Sequence, residues 1–275
     1  MTIFTCKTNE AHVIKCLSEL LQNNLKNTSF QIDSKGIRLK MTDSNKKILI
    51  DLELEADKFT LYNFKSPKKL YIGVNQSHLY KMLKTIKKKD SIVLFITDEK
   101  STDLGIQIIP KEKNRITTSY IKIQTIQHLD IDVPDGYTTP VIVPSNEYQK
   151  MCKDMTNISS SIFVTSKRYN IKFGSNAGSV YSREVVFGEK DEDDEKDYEV
   201  TQEFETEQLT RISKIAGLNS GSNNMQIFQD ENLPLLFRSS TGSLGKISIY
   251  VKSKQQIEED EQSHPGSKMT ENDEE

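Results

Sequence analysis

An α+β fold of two similar domains, each made of antiparallel sheet with two helices, is what the chain's own repetition predicts. Three observations carry it: one helical pattern occurs four times, alternating strand-like runs fill the intervals, and a Pro-Asp-Gly loop separates the first pair of units from the second.

The helical pattern is clearest at Leu79, Met82, Leu83 and Ile86, spaced i, i+3, i+4, i+7. At about 100° per residue these side chains share one face, with Lys81 and Lys84 pointing the other way. The same register fits Tyr148, Met151, Cys152 and Met155, with Lys150 and Lys153 outward, after the start signal Pro144-Ser145-Asn146-Glu147. It fits again at Leu209, Ile212, Ser213 and Ala216, with Arg211 and Lys214 outward and Gly217 as a C-terminal stop. The fourth copy has Val13, Cys16, Leu17 and Leu20 inward, with Lys15 and Ser18 on the far side. Seven of the eight outward positions are basic and none is acidic, although the chain holds 40 Asp and Glu against 37 Lys and Arg. An ordinary solvated face would carry both signs.

Between the helices, Ile48–Leu54, Leu70–Val74, Ile92–Thr97, Leu104–Ile109 and Tyr120–Ile126 read as strands bounded by Asp, Asn, Lys and Gly. The expected division is an N-terminal domain over residues 1–126, a connecting loop over 127–139 around Pro134, Asp135 and Gly136, and a C-terminal domain over 140–254. An acidic disordered tail is expected over 255–275.

The net charge of −3 conceals an uneven distribution. Gln255–Glu275 has eight acidic residues against one Lys, and Glu189–Glu199, expected as an exposed loop, has eight against two. Without these two segments the chain is ten charges positive. A face of Lys and Arg without aromatic or amide partners suits contact with a phosphate backbone and offers little means of reading bases.

Other classes of function find no support. No apolar run approaches the length of a membrane span, and Met1–Cys6 lacks a basic flank leading into an apolar signal core, so an intracellular protein with no membrane partner is expected. The cysteines Cys6, Cys16 and Cys152 and the four histidines show no metal-ligand spacing; buried packing is expected of the thiols, and neither metal nor cofactor. Gly245-Lys246 is followed by Ile247 rather than Ser or Thr, and Gly242-Ser-Leu-Gly245 has the wrong spacing for a nucleophile elbow. The Asp191–Glu195 run reads as a solvated loop. No catalytic residue and no enzymatic turnover are expected.

From Phe4 to about Lys254 the chain resembles the proliferating cell nuclear antigen family of eukaryotic-type DNA sliding clamps. The resemblance rests on the order and spacing of several segments: Phe30 to Ser44, Gly73-Val-Asn75 leading into Leu79–Lys84, Leu129 to Pro134, Pro144-Ser145 leading into Glu147–Asp154, and Leu233-Pro-Leu-Leu236. It implies the DNA clamp fold assembled into a ring, a homotrimer whose helices line a hole around double-stranded DNA, contacted without regard to sequence. Lys15, Lys81, Lys84, Lys150, Lys153, Arg211 and Lys214 would then be the DNA-binding residues. It also implies a protomer boundary between two edge strands, here Arg115–Ile121 and Ser179–Phe187.

A pocket for the peptides of DNA polymerase and other clamp-binding proteins maps by position onto Leu49, Leu129, Ile131, Val133, Pro134, Pro234, Tyr250 and Val251. The sequence departs from the family at Lys46-Lys47, Asp132 and Lys252-Ser253. The family role is a processivity factor in DNA replication and repair, placed on DNA by a separate clamp-loader ATPase, in the nucleus or another site of replication. Alternatives are a subunit of a heterotrimeric checkpoint-type clamp or a monomeric polymerase accessory factor.

Overall fold

The computed structural model describes residues 2–98, 100–112, 115–127, 129–189, 199–219 and 223–263. The first half runs β1 (Phe4–Thr8), α1 (Ala11–Asn24), β2 (Asn27–Asp33), β3 (Gly36–Thr42), β4 (Ile48–Glu55), β5 (Leu61–Phe64), β6 (Leu70–Asn75), α2 (Gln76–Leu83), β7 (Ser91–Ile96), β8 (Asp103–Ile109) and β9 (Thr117–Lys122). The second runs β10 (Val141–Pro144), α3 (Ser145–Met155), β11 (Ser161–Ser166), β12 (Asn170–Asn176), β13 (Ser182–Gly188), β14 (Val200–Glu205), α4 (Thr206–Arg211), β15 (Asn224–Phe228), β16 (Leu235–Ser240), β17 (Gly245–Val251) and α5 (Lys254–Ser263). Among the described residues the halves share one element order up to β17, with β5 the extra strand of the first. The expected α+β fold class is borne out.

The strands form three antiparallel sheets, ordered β5-β1-β7-β8-β9, β10-β15-β16-β17-β4-β3-β2-β6 and β13-β12-β11-β14. The middle sheet runs through both halves, because β17 pairs with β4 from Gly245 opposite Leu54 to Val251 opposite Ile48. Along β17 the period of two sends Ile247, Ile249 and Val251 into the main core and Tyr250 to the other face.

The helices cover the main core. In α3 the residues picked out by spacing, Tyr148, Met151, Cys152 and Met155, are all buried, and the Tyr148 hydroxyl donates to the Leu209 carbonyl at 3.1 Å, joining α3 to α4. Elsewhere the helical reading needs correction. Ser18 is not outward but 2% exposed, because α1 lies between α2 and the segment after α4; it lines an apolar cavity under α1. Met82 is 36% exposed, since α2 ends at Leu83 and only Leu79, Leu83 and Ile86 reach the core.

After Arg211 the helix tightens to a 3-10 turn over Ile212–Gly217. Three residues per turn replace 3.6, so Ile212, Ile215 and Leu218 align and bury completely, while Ala216, expected inward, is half-buried. Gly217 has no left-handed backbone. A Cβ there would sit 3.0 Å from Cys16 Sγ, so the glycine permits close approach to α1 rather than serving as a left-handed C-cap.

The expected disordered tail is corrected at its start, where α5 occupies Lys254–Ser263. A capping box starts it: the Gln256 amide donates to Ser253 Oγ at 3.3 Å, and the Ser253 amide donates to Gln256 Oε1 at 2.9 Å. Lys254 bonds to Glu203 at 2.6 Å, and Lys252 pairs with Asp260. Residues 264–275 and the Asp191–Glu195 run lie outside the described residues.

Candidate nucleic-acid interface and outer pocket

The helix layer carries the cations that spacing picked out, in unequal states. Asn75 caps α2 by accepting the His78 amide at 3.1 Å, and one turn on, Lys81 and Lys84 stand exposed with no ion pair among the described residues. Lys153 on α3 is likewise exposed and unpaired. Lys150 meets Glu147 at 2.7 Å, Arg211 meets Glu207 one turn earlier on α4, and Lys214 reaches across to Glu19 of α1 at 2.6 Å. Lys15 is half-buried and donates to the Ile86 carbonyl at 3.0 Å. The face is therefore positive but partly neutralised. Exposed pairs of this kind are worth only about 0–1 kcal/mol, so a phosphate can displace their carboxylates.

On the opposite face of the middle sheet, Phe228, Leu236, Tyr250 and Leu49 form one cross-strand row over β15, β16, β17 and β4. Ile131, Val133 and Tyr137 of the connecting segment pack on this row. The Tyr137 ring lies 5.9 Å from Phe228 and 6.1 Å from Tyr250, and its hydroxyl donates to the Pro234 carbonyl at 2.7 Å. Burial pushes the Tyr137 phenol well above its ordinary value, with the neighbouring Tyr250 and Asp230 adding to it. Thr138 fastens the segment further, its hydroxyl bonding Asp230 at 2.8 Å and its amide at 3.2 Å. The Arg238 guanidinium stands 5.0 Å over the Phe228 ring.

Of the pocket residues expected by position, Leu49, Tyr250, Ile131 and Val133 come together here. Pro134 and Pro234 are half-buried, and Leu129 is 59% exposed. Val251 is corrected: it is fully buried in the main core, because it follows Tyr250 by one residue and so faces the other way. Sequence reasoning missed Phe228, Leu236 and Tyr137. The first two follow from the alternation of β15 and β16 once their register is known; Tyr137 carries no such signal.

Among the described residues, one outer sheet ends in β5 and β9 and the other in β14 and β13, and β9 and β13 have no strand paired on their outer side. Around them Ile116, Tyr120, Val180, Tyr181 and Val186 are all more than half exposed. The cysteines are buried and free, with burial pushing the Cys6 and Cys152 thiols up to about 12. Among the described residues, no three His, Cys, Asp or Glu side chains gather as a metal-binding group, and no helix is long and apolar enough to cross a membrane.

A duplicated α+β unit with cationic helices on one side and a shared antiparallel sheet on the other defines the class of DNA clamps. The family models for the N-terminal and C-terminal domains of proliferating cell nuclear antigen match residues 3–133 and 132–254. The chain belongs to the proliferating cell nuclear antigen family of sliding clamps. It is 26% identical over 258 residues to the probable DNA polymerase sliding clamp 1 of Paramecium bursaria Chlorella virus 1, covering 90% of this chain and 96% of that protein. It is 24% identical over 256 residues to the proliferating cell nuclear antigen of Chaetomium thermophilum, covering 90% and 96%. The crystal structure of the Entamoeba histolytica proliferating cell nuclear antigen superposes with a TM-score of 0.80 at 20% identity, covering 92% of this chain and all of that one.

Proposed function

We propose that this sliding clamp is a non-enzymatic processivity factor that encircles double-stranded DNA as a homotrimer and tethers DNA polymerase and other replication and repair proteins. What carries the reading is the pair of free, apolar-flanked edges, β9 and β13, in a chain whose cations project from a separate helix layer. Joining β9 of one copy to β13 of the next would pair both edges and close a ring. The helix cations would then face the enclosed duplex, making interchangeable backbone contacts that permit sliding.

The outer row, roofed by the connecting segment, suits a peptide with aliphatic and aromatic anchors. The family resemblance implies a separate clamp-loader ATPase that opens the ring, and Gly245-Lys246 followed by Ile247 offers no nucleotide-cradling loop in its place. Its place of action is wherever DNA is replicated, the nucleus included.

Light scattering on the purified chain tests the assembly. A mass near three times 31.5 kDa is expected. A single-chain mass would overturn the homotrimer in favour of a heterotrimer subunit or a monomeric accessory factor.

A further inference from the structure

The densest run of positive charge lies beyond the helix positions that spacing picks out. From Lys58 to Lys89 the chain has nine lysines and no Asp or Glu, and five of the nine fall between Lys81 and Lys89. Lys87, Lys88 and Lys89 form the turn between α2 and β7 and are exposed. None of the five is ion-paired among the described residues, whereas Lys150, Arg211 and Lys214 each hold a carboxylate.

The turn is also built to hold its shape. Ile86 before it is 3% exposed and Asp90 after it 6% exposed. The Asp90 carboxylate accepts the Lys87 amide at 2.9 Å, and the Asp90 amide donates to the Lys87 carbonyl at 3.1 Å. Asp90 thus spends its charge on the backbone of the turn and leaves the three ammonium groups uncompensated. Lys15 of α1 reaches the same turn through the Ile86 carbonyl. That contact, at 3.0 Å, sets the turn against α1 and hence at the helix layer; in keeping with it, burial first and then the charges of Lys15 and Lys88 hold the His12 imidazole below its ordinary value.

Five unpaired like charges repel one another, and a dense polyanion relieves that repulsion. Duplex DNA, with about one phosphate charge per 1.7 Å of axis, supplies the closest match. We propose that the Lys87–Lys89 turn, with Lys81 and Lys84, is a phosphate-backbone contact for double-stranded DNA and makes the first half of the chain the stronger of its two grips. This rests on the reading of the chain as a clamp around DNA.

The test is binding of a short labelled duplex to the full chain by anisotropy over a series of potassium chloride concentrations. The triple variant Lys87→Ala, Lys88→Ala, Lys89→Ala should flatten the slope of log affinity against log salt by about 2–3, at about 0.9 for each phosphate no longer neutralised. The control is Lys65→Ala, Lys68→Ala, Lys69→Ala, an equal charge change at the other end of β6, about 20 Å from α2. It should leave the slope unchanged, and Lys87→Arg, Lys88→Arg, Lys89→Arg should retain it, with unaltered melting temperatures showing that all three fold. Equal losses in both alanine triples would overturn the proposal by reducing it to bulk charge. No loss at the turn, alongside a loss in Lys81→Ala, Lys153→Ala, would overturn it and leave the clamp reading standing. A wild-type chain that binds phosphatidylserine vesicles but no duplex would overturn both.

Discussion

Replacing Tyr120 by alanine tests the proposed joining of β9 to β13 most directly. Tyr120 is 62% exposed, and its main local contact is edge-to-face with Phe95 at 6.1 Å, so truncation leaves the main core intact. A tyrosine offers roughly 200 Å² for burial, of which about 120 Å² is still open here. At about 25 cal/mol per Å² that is ~3 kcal/mol if a neighbouring copy covers it. Ordering and desolvation at an interface take back part of this, leaving about 1–3 kcal/mol per joint, or ~5–150-fold in its dissociation constant. Light scattering over a dilution series should show Tyr120→Ala losing its trimeric mass at correspondingly higher concentration than wild type. Val186→Lys, which sets an ammonium on the opposing edge, should do the same. If both variants dissociate at the wild-type concentration while remaining folded, the edges are not the joints and the argument from exposure fails.

The 3-10 register predicts that Ile215→Ala costs about 3 kcal/mol in chemical denaturation while Ala216→Ser stays within about 0.5; the reverse ranking would restore a regular helix. Ser253→Ala removes the capping box of α5 and should cost about 1 kcal/mol locally, seen as faster amide exchange over that helix with the core unaffected. Lys254 and then Ser161 hold the Glu203 carboxyl below its ordinary value, so their docking contribution is present above the ordinary carboxylate range and lost as pH falls through the lowered value. Glu203→Gln should abolish that acid-side dependence of α5 exchange. With thiols at about 12, Cys6 and Cys152 should resist alkylation at mildly alkaline pH until denaturant is added; ready labelling of the native chain would contradict their burial.

Much of the fold was legible because one apolar rhythm repeats, and in α3 the rhythm and the burial coincide. It was less legible where the period changed. At Ile212 the backbone shifts to three residues per turn, and a reading at 3.6 then picks Ala216 in place of Ile215. Ser18 misled because a lone helix has a solvent face by default, whereas α1 has neighbours on both flanks. The helix cations were visible as a pattern, but their state was not. The Lys214–Glu19 pair joins residues far apart in sequence, though the pairs on α3 and α4 lie three and four residues apart and were open to local reading. The outer row depends on strand order, which places β17 beside β4 and so brings Tyr250 to Leu49. The Ser253–Gln256 capping box was present in the sequence, overshadowed by the acidic composition that follows it.

The β4–β17 ladder has a mechanical consequence. Its hydrogen bonds lie across the strands, so a force that slides one half of the chain past the other along the strand direction loads all seven residue pairs together, and they must give way at once. The edges of β9 and β13 carry no such partner among the described residues. Under strain this ladder therefore holds the two halves of the chain as one stiff plate, and in the proposed ring the compliance would fall at the joints between copies.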